Sequence, residues 1–287
     1  MIGARVAGPS LNDIGMKSNR VEILANRYIE LNRAKARIIR PWMLVTMMGL
    51  AGVGQVHAAE PTGILAPTAG TSRDASWALD STLESNSLRG RSLDLNVTVA
   101  PLGSIYESGW RIRASAGLSG YRYLADPETD AVADGTGRDF GVFAGYGFIS
   151  QRTSIVAMVG NVRSVNRDDG RESNFRGHKV LATVFSRPDS RNLFYALASR
   201  STAQGGNSQI VGKWGFRDAA GPYFGPEFNL TWRSTSSYER GPVTSKFGIH
   251  VSAWPVGPWF LGAAFGRYSE RDFRIGTYLN CSLYKAF

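Results

Sequence analysis

Apolar and polar residues alternate with a period of two along most of this chain, and a period of two selects strands over helices. "LDLNVTVA" puts Leu93, Leu95, Val97 and Val99 on one face and Asp94, Asn96 and Thr98 on the other. "GWRIRASAGLSG" alternates Trp110, Ile112, Ala114, Ala116 and Leu118 with Arg111, Arg113 and Ser115. "DFGVFAGYGF" sets Phe140, Val142, Ala144, Tyr146 and Phe148 against three glycines. "EFNLTWR" and "KFGIHVSAW" repeat the pattern, the latter with Phe247, Ile249, Val251 and Ala253 on the apolar face. Both faces of "HKVLATVF" are partly apolar, so its facing stays open.

The alternation predicts twelve strands: 75–84, 92–100, 109–123, 138–149, 153–163, 175–186, 192–200, 208–217, 222–233, 244–254, 259–267 and 273–287. Their connections fall into two sets. One set is short and rich in turn formers, as in "SQR", "RPDSR", "DAAG" and "PVGP", with "APLGSIYESG" its one long member. The other is longer and more polar, as in "LADPETDAVADGTG" and "SVNRDDGRESN". Short turns at one end and long loops at the other mark an outer-membrane barrel. A soluble β-sandwich also alternates. Against it stand the aromatics near strand ends (Trp77, Trp110, Tyr146, Phe148, Trp214, Phe216, Trp232, Trp254 and Trp259) and the charges at strand centres on the polar face. The expected fold is all-β: a single transmembrane antiparallel up-and-down barrel of about 12 strands over residues 74–287, with lipid bilayer as its surroundings.

The ending "LNCSLYKAF" fits a closing strand. Leu279, Cys281, Leu283 and Phe287 share one face, and Tyr278, Asn280, Ser282 and Tyr284 the other. Lipid tolerates no open sheet edge, so the last strand of a barrel must seal against the first. A terminal aromatic preceded by alternate apolar residues is also the ending that the barrel assembly machinery recognises. Lys285 departs from that pattern on the lipid-facing side, and is expected to snorkel at the membrane edge.

Upstream, Arg33 to Arg40 is basic, Trp42 to Val53 is apolar, and Val56-His57-Ala58 offers small residues at −3 and −1. These are the three parts of a secretory signal, and the apolar run is too short to span a bilayer as a helix. Residues 1–58 therefore read as a signal peptide with an extended basic n-region, and 59–73 as an irregular periplasmic leader. Export places the mature chain in the outer membrane of a Gram-negative cell. The signal holds eight Lys/Arg against three acids, so half of the formal +10 charge lies in it. The other basic residues are scattered singly through strands, which argues against nucleic-acid binding.

Candidates for chemistry are few. Cys281 is the only cysteine, and no Cys/His cluster has metal-ligand spacing; no cofactor or metal is expected. The polar faces nominate Arg111, Arg113, Lys213, Glu227, Asn229, Arg233, Lys246 and His250 as lumen-lining residues. Both charge signs occur, so pairing across the interior is favoured over a selective ring. His250 with Ser252 on the same face raises a hydrolase of the Ser–His–acid kind as a minor reading. The inward aromatics Tyr278, Tyr284 and Phe260 could stack on sugars or fill space.

One segment goes beyond class. "VAPLGSIYESGWRIRASAGLSGYRY", Val99 to Tyr123, resembles the BcsS family of alphaproteobacterial cellulose-biosynthesis proteins, and "GVFAGYGF" and "GPEFNLTW" are similar to later strands of that family. The resemblance implies a non-enzymatic outer-membrane component of cellulose (exopolysaccharide) synthesis and export, with cellulose synthase or export components as partners. It carries over no catalytic residues. The alternatives are a general porin or surface barrel, and a barrel lipid A or ester hydrolase using His250. Twelve strands with bulky lumen residues point to a narrow or plugged interior, which disfavours a diffusion porin.

Overall fold

The computed structural model describes residues 74–126, 131–168, 170–203, 206–218, 221–233, 244–270 and 275–287, with the side chains of 123–126, 131, 132 and 233 left out. The signal peptide and leader expected at 1–58 and 59–73 lie outside the described residues. So does the whole of the long 234–243 connection.

Twelve strands follow in order: β1 (Trp77–Asn86), β2 (Arg91–Val99), β3 (Gly109–Asp126), β4 (Ala131–Ile149), β5 (Thr153–Asp168), β6 (Arg171–Ser186), β7 (Asn192–Ser201), β8 (Asn207–Phe216), β9 (Tyr223–Arg233), β10 (Thr244–Val256), β11 (Trp259–Glu270) and β12 (Ile275–Ala286). Each pairs antiparallel with its sequence neighbours, and β12 returns to β1 to close the barrel. The predicted alternation sets which way each side chain points. Leu93, Leu95, Val97, Val99, Phe140, Val142 and Phe265 are exposed on the outer wall, while Asp94, Asn96, Thr98, Arg111 and Arg113 are buried inside. An apolar exterior with a polar interior reverses a soluble protein, and it is stable only where lipid is the solvent.

Closure centres on the last residue. Register runs from Ala78↔Ala286 to Asn86↔Tyr278. The Phe287 amide donates to the Trp77 carbonyl at 2.8 Å, and the Trp77 amide donates back at 3.3 Å. The Phe287 ring stacks on Trp77 at 3.9 Å between centroids and meets Trp259 edge-on. Each such pair contributes about 0.5–1.5 kcal/mol beyond burial. Lys285 does lie on the outward face, opposite Leu79. Its Nζ sits 4.0 Å from the Phe287 ring centre and 5.2 Å from that of Trp259, so the aromatic surroundings accommodate the charge. Ten outward aromatics gather at this terminus end: Trp77, Trp110, Tyr146, Phe148, Phe194, Trp214, Phe216, Phe224, Trp254 and Trp259 all flank its turns. Trp232 alone of the predicted girdle lies at the other end.

Two expectations need correction. The polar stretches assigned to connections 124–137 and 164–174 are largely strand: β3 runs to Asp126, β4 begins at Ala131, and β5 and β6 extend to Asp168 and back from Arg171. These hairpins are longer than the roughly 9–11 residues needed to span lipid. Beyond the bilayer neither face meets hydrocarbon, so strands there can be polar on both sides. The second correction is Ala253. Register slips between Val251 and Trp254, where the backbone of Ala253 takes φ 55°. This bulge puts Ser252 and Ala253 opposite one partner residue. It turns Ala253 from the predicted outer face to pack on Phe185, Leu193, Tyr195, Leu197 and Tyr223 inside, and sends Trp254 outward. The open facing of β6 is also resolved: Val180, Ala182 and Val184 face out, and Leu181, Thr183 and Phe185 face in. Both faces are apolar because this part of the lumen holds a packed apolar core.

Candidate functional site

The barrel interior is the candidate site, and it is filled from the terminus end upward. The one long turn on that side, between β2 and β3, folds into the mouth instead of hanging below it. Ile105 is buried among Ala75, Ala78, Ala100, Tyr284 and Ala286, with Tyr106 and Phe260 packed against them. The Ile105 amide donates to the Ala75 carbonyl at 2.8 Å, and Ser104 Oγ donates to the same carbonyl at 3.1 Å. Arg111 holds the turn from above. Its guanidinium donates to the carbonyls of Trp110, Ser104, Ile105 and Glu107. Carbonyls in a tight turn have no strand partner, and a five-donor guanidinium can satisfy several at once.

Above this plug the lumen carries charge in pairs. Arg113 donates through Nε to Thr98 Oγ1 at 3.0 Å and lies 3.8 Å from Asp80, whose other oxygen accepts from Asn96 at 2.9 Å. Glu84 and Lys246 meet at 2.5 Å. They stand on β1 and β10, three strands apart around the wall, so their bond is a chord across the lumen. Tyr278 on β12 makes a second chord, donating to Glu227 on β9 at 2.5 Å. Lys213 completes that group at 2.6 Å from Glu227. Gly248 makes this crossing possible: a Cβ there would stand 2.5 Å from the Tyr278 hydroxyl. Lys246 also lies over the rings of Tyr268 and Tyr278. Lys179 interacts electrostatically with Asp94 and Asp139 on the facing strands. Cavities of about 20 and 40 Å³ lie beside Arg113 and Lys246, each with room for one or two waters.

His250 is buried, and both of its ring nitrogens are engaged. Nε2 lies 3.2 Å from the Trp214 carbonyl, which only an N–H can satisfy, and in the neutral imidazole this leaves Nδ1 to accept from Ser252 Oγ at 2.8 Å. The imidazole reaches the Trp214 carbonyl over Gly215, where a Cβ would sit 3.3 Å from its ring. The pair braces the bulge at Ser252–Ala253.

The predicted residues therefore separate by role. Arg113, Lys213, Glu227 and Lys246 face the lumen and are ion-paired. Asn229 faces inward and accepts from Gln209. Arg111 faces inward at the terminus end and binds the turn, and His250 binds the bulge. Arg233 lies in β9 with its side chain outside the described residues. Leu279, Cys281 and Leu283 share the outward face of β12, and Phe287, just past its end, continues that face. Asp80, Glu84, Asp94, Asp139 and Lys179 were missed. The signal available was an acid or base on the polar parity of a strand, the criterion that found Lys246. Asp80 and Glu84 stand on β1, where serines blur the apolar face and weaken that parity.

A closed antiparallel barrel of twelve strands, apolar outside and charged within, belongs to the class of outer-membrane β-barrels. No protein-family model matches the chain, and no curated protein does. Among solved structures it is similar to the KdgM porin in complex with disordered oligogalacturonate (12% identity, TM-score 0.43, covering 73% of this chain and 99% of the porin). It is also similar to the β domain of the Bordetella autotransporter BrkA (13%, TM-score 0.45, 75% and 100%). A third is the transport unit of the autotransporter AIDA-I from Escherichia coli (12%, TM-score 0.44, 85% and 97%). At these identities and scores neither a cargo nor a passenger carries over to this chain.

Proposed function

We propose that this protein is a non-enzymatic, occluded outer-membrane barrel that serves as an accessory component of cellulose or related exopolysaccharide biosynthesis, and does not pass the polymer through its own lumen. The observation that carries the occlusion is the pair of chords, Glu84–Lys246 and Tyr278–Glu227, above a mouth filled by Ile105. A polysaccharide chain several ångströms wide cannot share that cross-section. The polysaccharide role is supported by the resemblance of Val99–Tyr123 and Gly141–Phe148 to the BcsS family. In that reading the plugging turn and its Arg111 staple are the segment most like the family, and the surface offered to partners is the loop end or the periplasmic rim.

Two measurements test it. A strain lacking the protein should lose surface cellulose, and unchanged cellulose would refute the polysaccharide role. Reconstituted in planar bilayers, the wild-type barrel should show no sustained large-conductance steps, whereas a general porin would conduct openly. The hydrolase reading finds its histidine with Nε2–H directed to a backbone carbonyl, a bond suited to bracing the bulge.

A further inference from the structure

The outer wall of β4, β5 and β6 is apolar near the terminus end, where Tyr146, Phe148, Ile155, Val159, Val180 and Val184 are exposed. Toward the loop end the same face changes character. Register places Phe140 beside Arg163, and Arg163 beside Arg176. The adjoining row is Val142, Asn161 and His178. These six outward side chains flank an open groove of about 530 Å³.

Arg163 and Arg176 stand directly opposite each other on an antiparallel pair. Like charges so placed repel, and an anion between them would offset that repulsion. Arg163 is steadied by donating through Nε to Asn174 at 3.1 Å. The described outward carboxylates of this wall lie elsewhere: Asp134 pairs with Arg122 at 2.9 Å, and Glu172 stands opposite Arg167. Further basic residues flank the groove. From Arg138 to Arg163, to His178, to Arg200, the position moves two residues per strand toward the terminus end. The barrel's own rims step in the same sense, since β6 overhangs β7 at the loop end and β7 overhangs β6 at the other. The basic residues thus form a band around the wall, along the upper border of the apolar belt.

We propose that this groove binds the phosphorylated headgroup of an anionic membrane lipid in the leaflet at the loop end. The guanidiniums of Arg163 and Arg176 hold the phosphate, and Phe140 and Val142 lie along the first part of an acyl chain. Guanidinium forks match phosphate oxygens two at a time. The ligand is a lipid because the groove runs into lipid-facing surface: Phe140 and Val142, 52% and 63% exposed, form its β4 side. The site is independent of what the lumen or the polysaccharide machinery does.

Native mass spectrometry of the detergent-purified barrel tests it, with three probes: bisphosphorylated lipid A, the same lipid freed of phosphate, and inorganic phosphate. The bisphosphorylated lipid should be retained and the phosphate-free form should not. Arg163→Gln/Arg176→Gln should weaken retention by about 30-fold, taking roughly a factor of five for each basic residue at an anionic lipid surface. The variant should keep its heat-modifiable gel mobility. Equal retention of phosphate-free lipid, or undiminished retention by the double variant, overturns the proposal. Displacement of the lipid by millimolar inorganic phosphate also overturns it, because the site would then be a simple anion site. If the variant does not fold, the two lipid probes on the wild-type barrel decide alone.

Discussion

At the scale of single residues, the interior rests on charges that need their partners. Glu84 and Lys246 are both almost fully buried, at 7% and 2% exposure. Removing one member of a buried pair leaves the other's charge in a poor solvent, which costs about 3–5 kcal/mol, whereas replacing both is far milder. Glu84→Gln is therefore expected to lower the denaturant midpoint of the detergent-solubilised barrel, and Glu84→Gln/Lys246→Met to recover most of it. A double variant no better than the single would show that the pair is not the unit. Asp189 makes the opposite kind of contribution, in the short turn between β6 and β7. Its carboxylate accepts from the Arg191 and Asn192 amides and from the Asn192 side chain at 2.7–2.8 Å. Those bonds hold its pKa below the ordinary 3.8. A depressed carboxylate stabilises the fold above its unfolded pKa and loses that contribution as pH falls through the folded value. Asp189→Ala should thus loosen the turn at pH 7 and differ little from wild type well below pH 4, as read by amide exchange at Arg191 and Asn192. The residue scale was partly legible beforehand. Arg113, Lys213, Glu227 and Lys246 were visible as inward charges, but the pairings were not: Glu84 stands 162 residues from Lys246 in the chain, and no local pattern brings the two together.

Elements show where a sequence pattern is ambiguous. The turn between β2 and β3 read as an unusually long member of a short set, and length alone does not say whether a turn hangs free or tucks in. Its burial depends on Arg111. Arg111→Ala removes a charged donor from four carbonyls, and local opening should become easier by about 2–3 kcal/mol. The Ile105 amide should then exchange roughly 30–140-fold faster; an unchanged rate would mean that Ile105 packing holds the turn without the arginine. For β12, deleting Phe287 removes two backbone bonds and the stack on Trp77. The folded, heat-modifiable fraction recovered in membranes should fall several-fold, and normal recovery would refute the role of the terminal aromatic. The strand extensions of β3 to β6 were hidden because alternation reports lipid on one face. Once a strand leaves the bilayer that signal ends while the hydrogen bonding continues.

For the whole molecule, the expectation is a sealed wall around a filled core. Cell fractionation should recover the protein with outer membranes, and recovery in the soluble periplasm would contradict the barrel's exterior. The alternation alone determined the class: strand number, the facing of most side chains and the closing strand follow from a period of two in a lipid setting. Only the tertiary structure decided what fills the barrel. The chords between β1 and β10 and between β9 and β12 and the folded-in turn depend on closure, which brings distant strands within one side-chain length, and the bulge that turns Ala253 inward depends on the register of β10 against β11. A local pattern says which side of the wall a residue faces, but not which residue stands opposite.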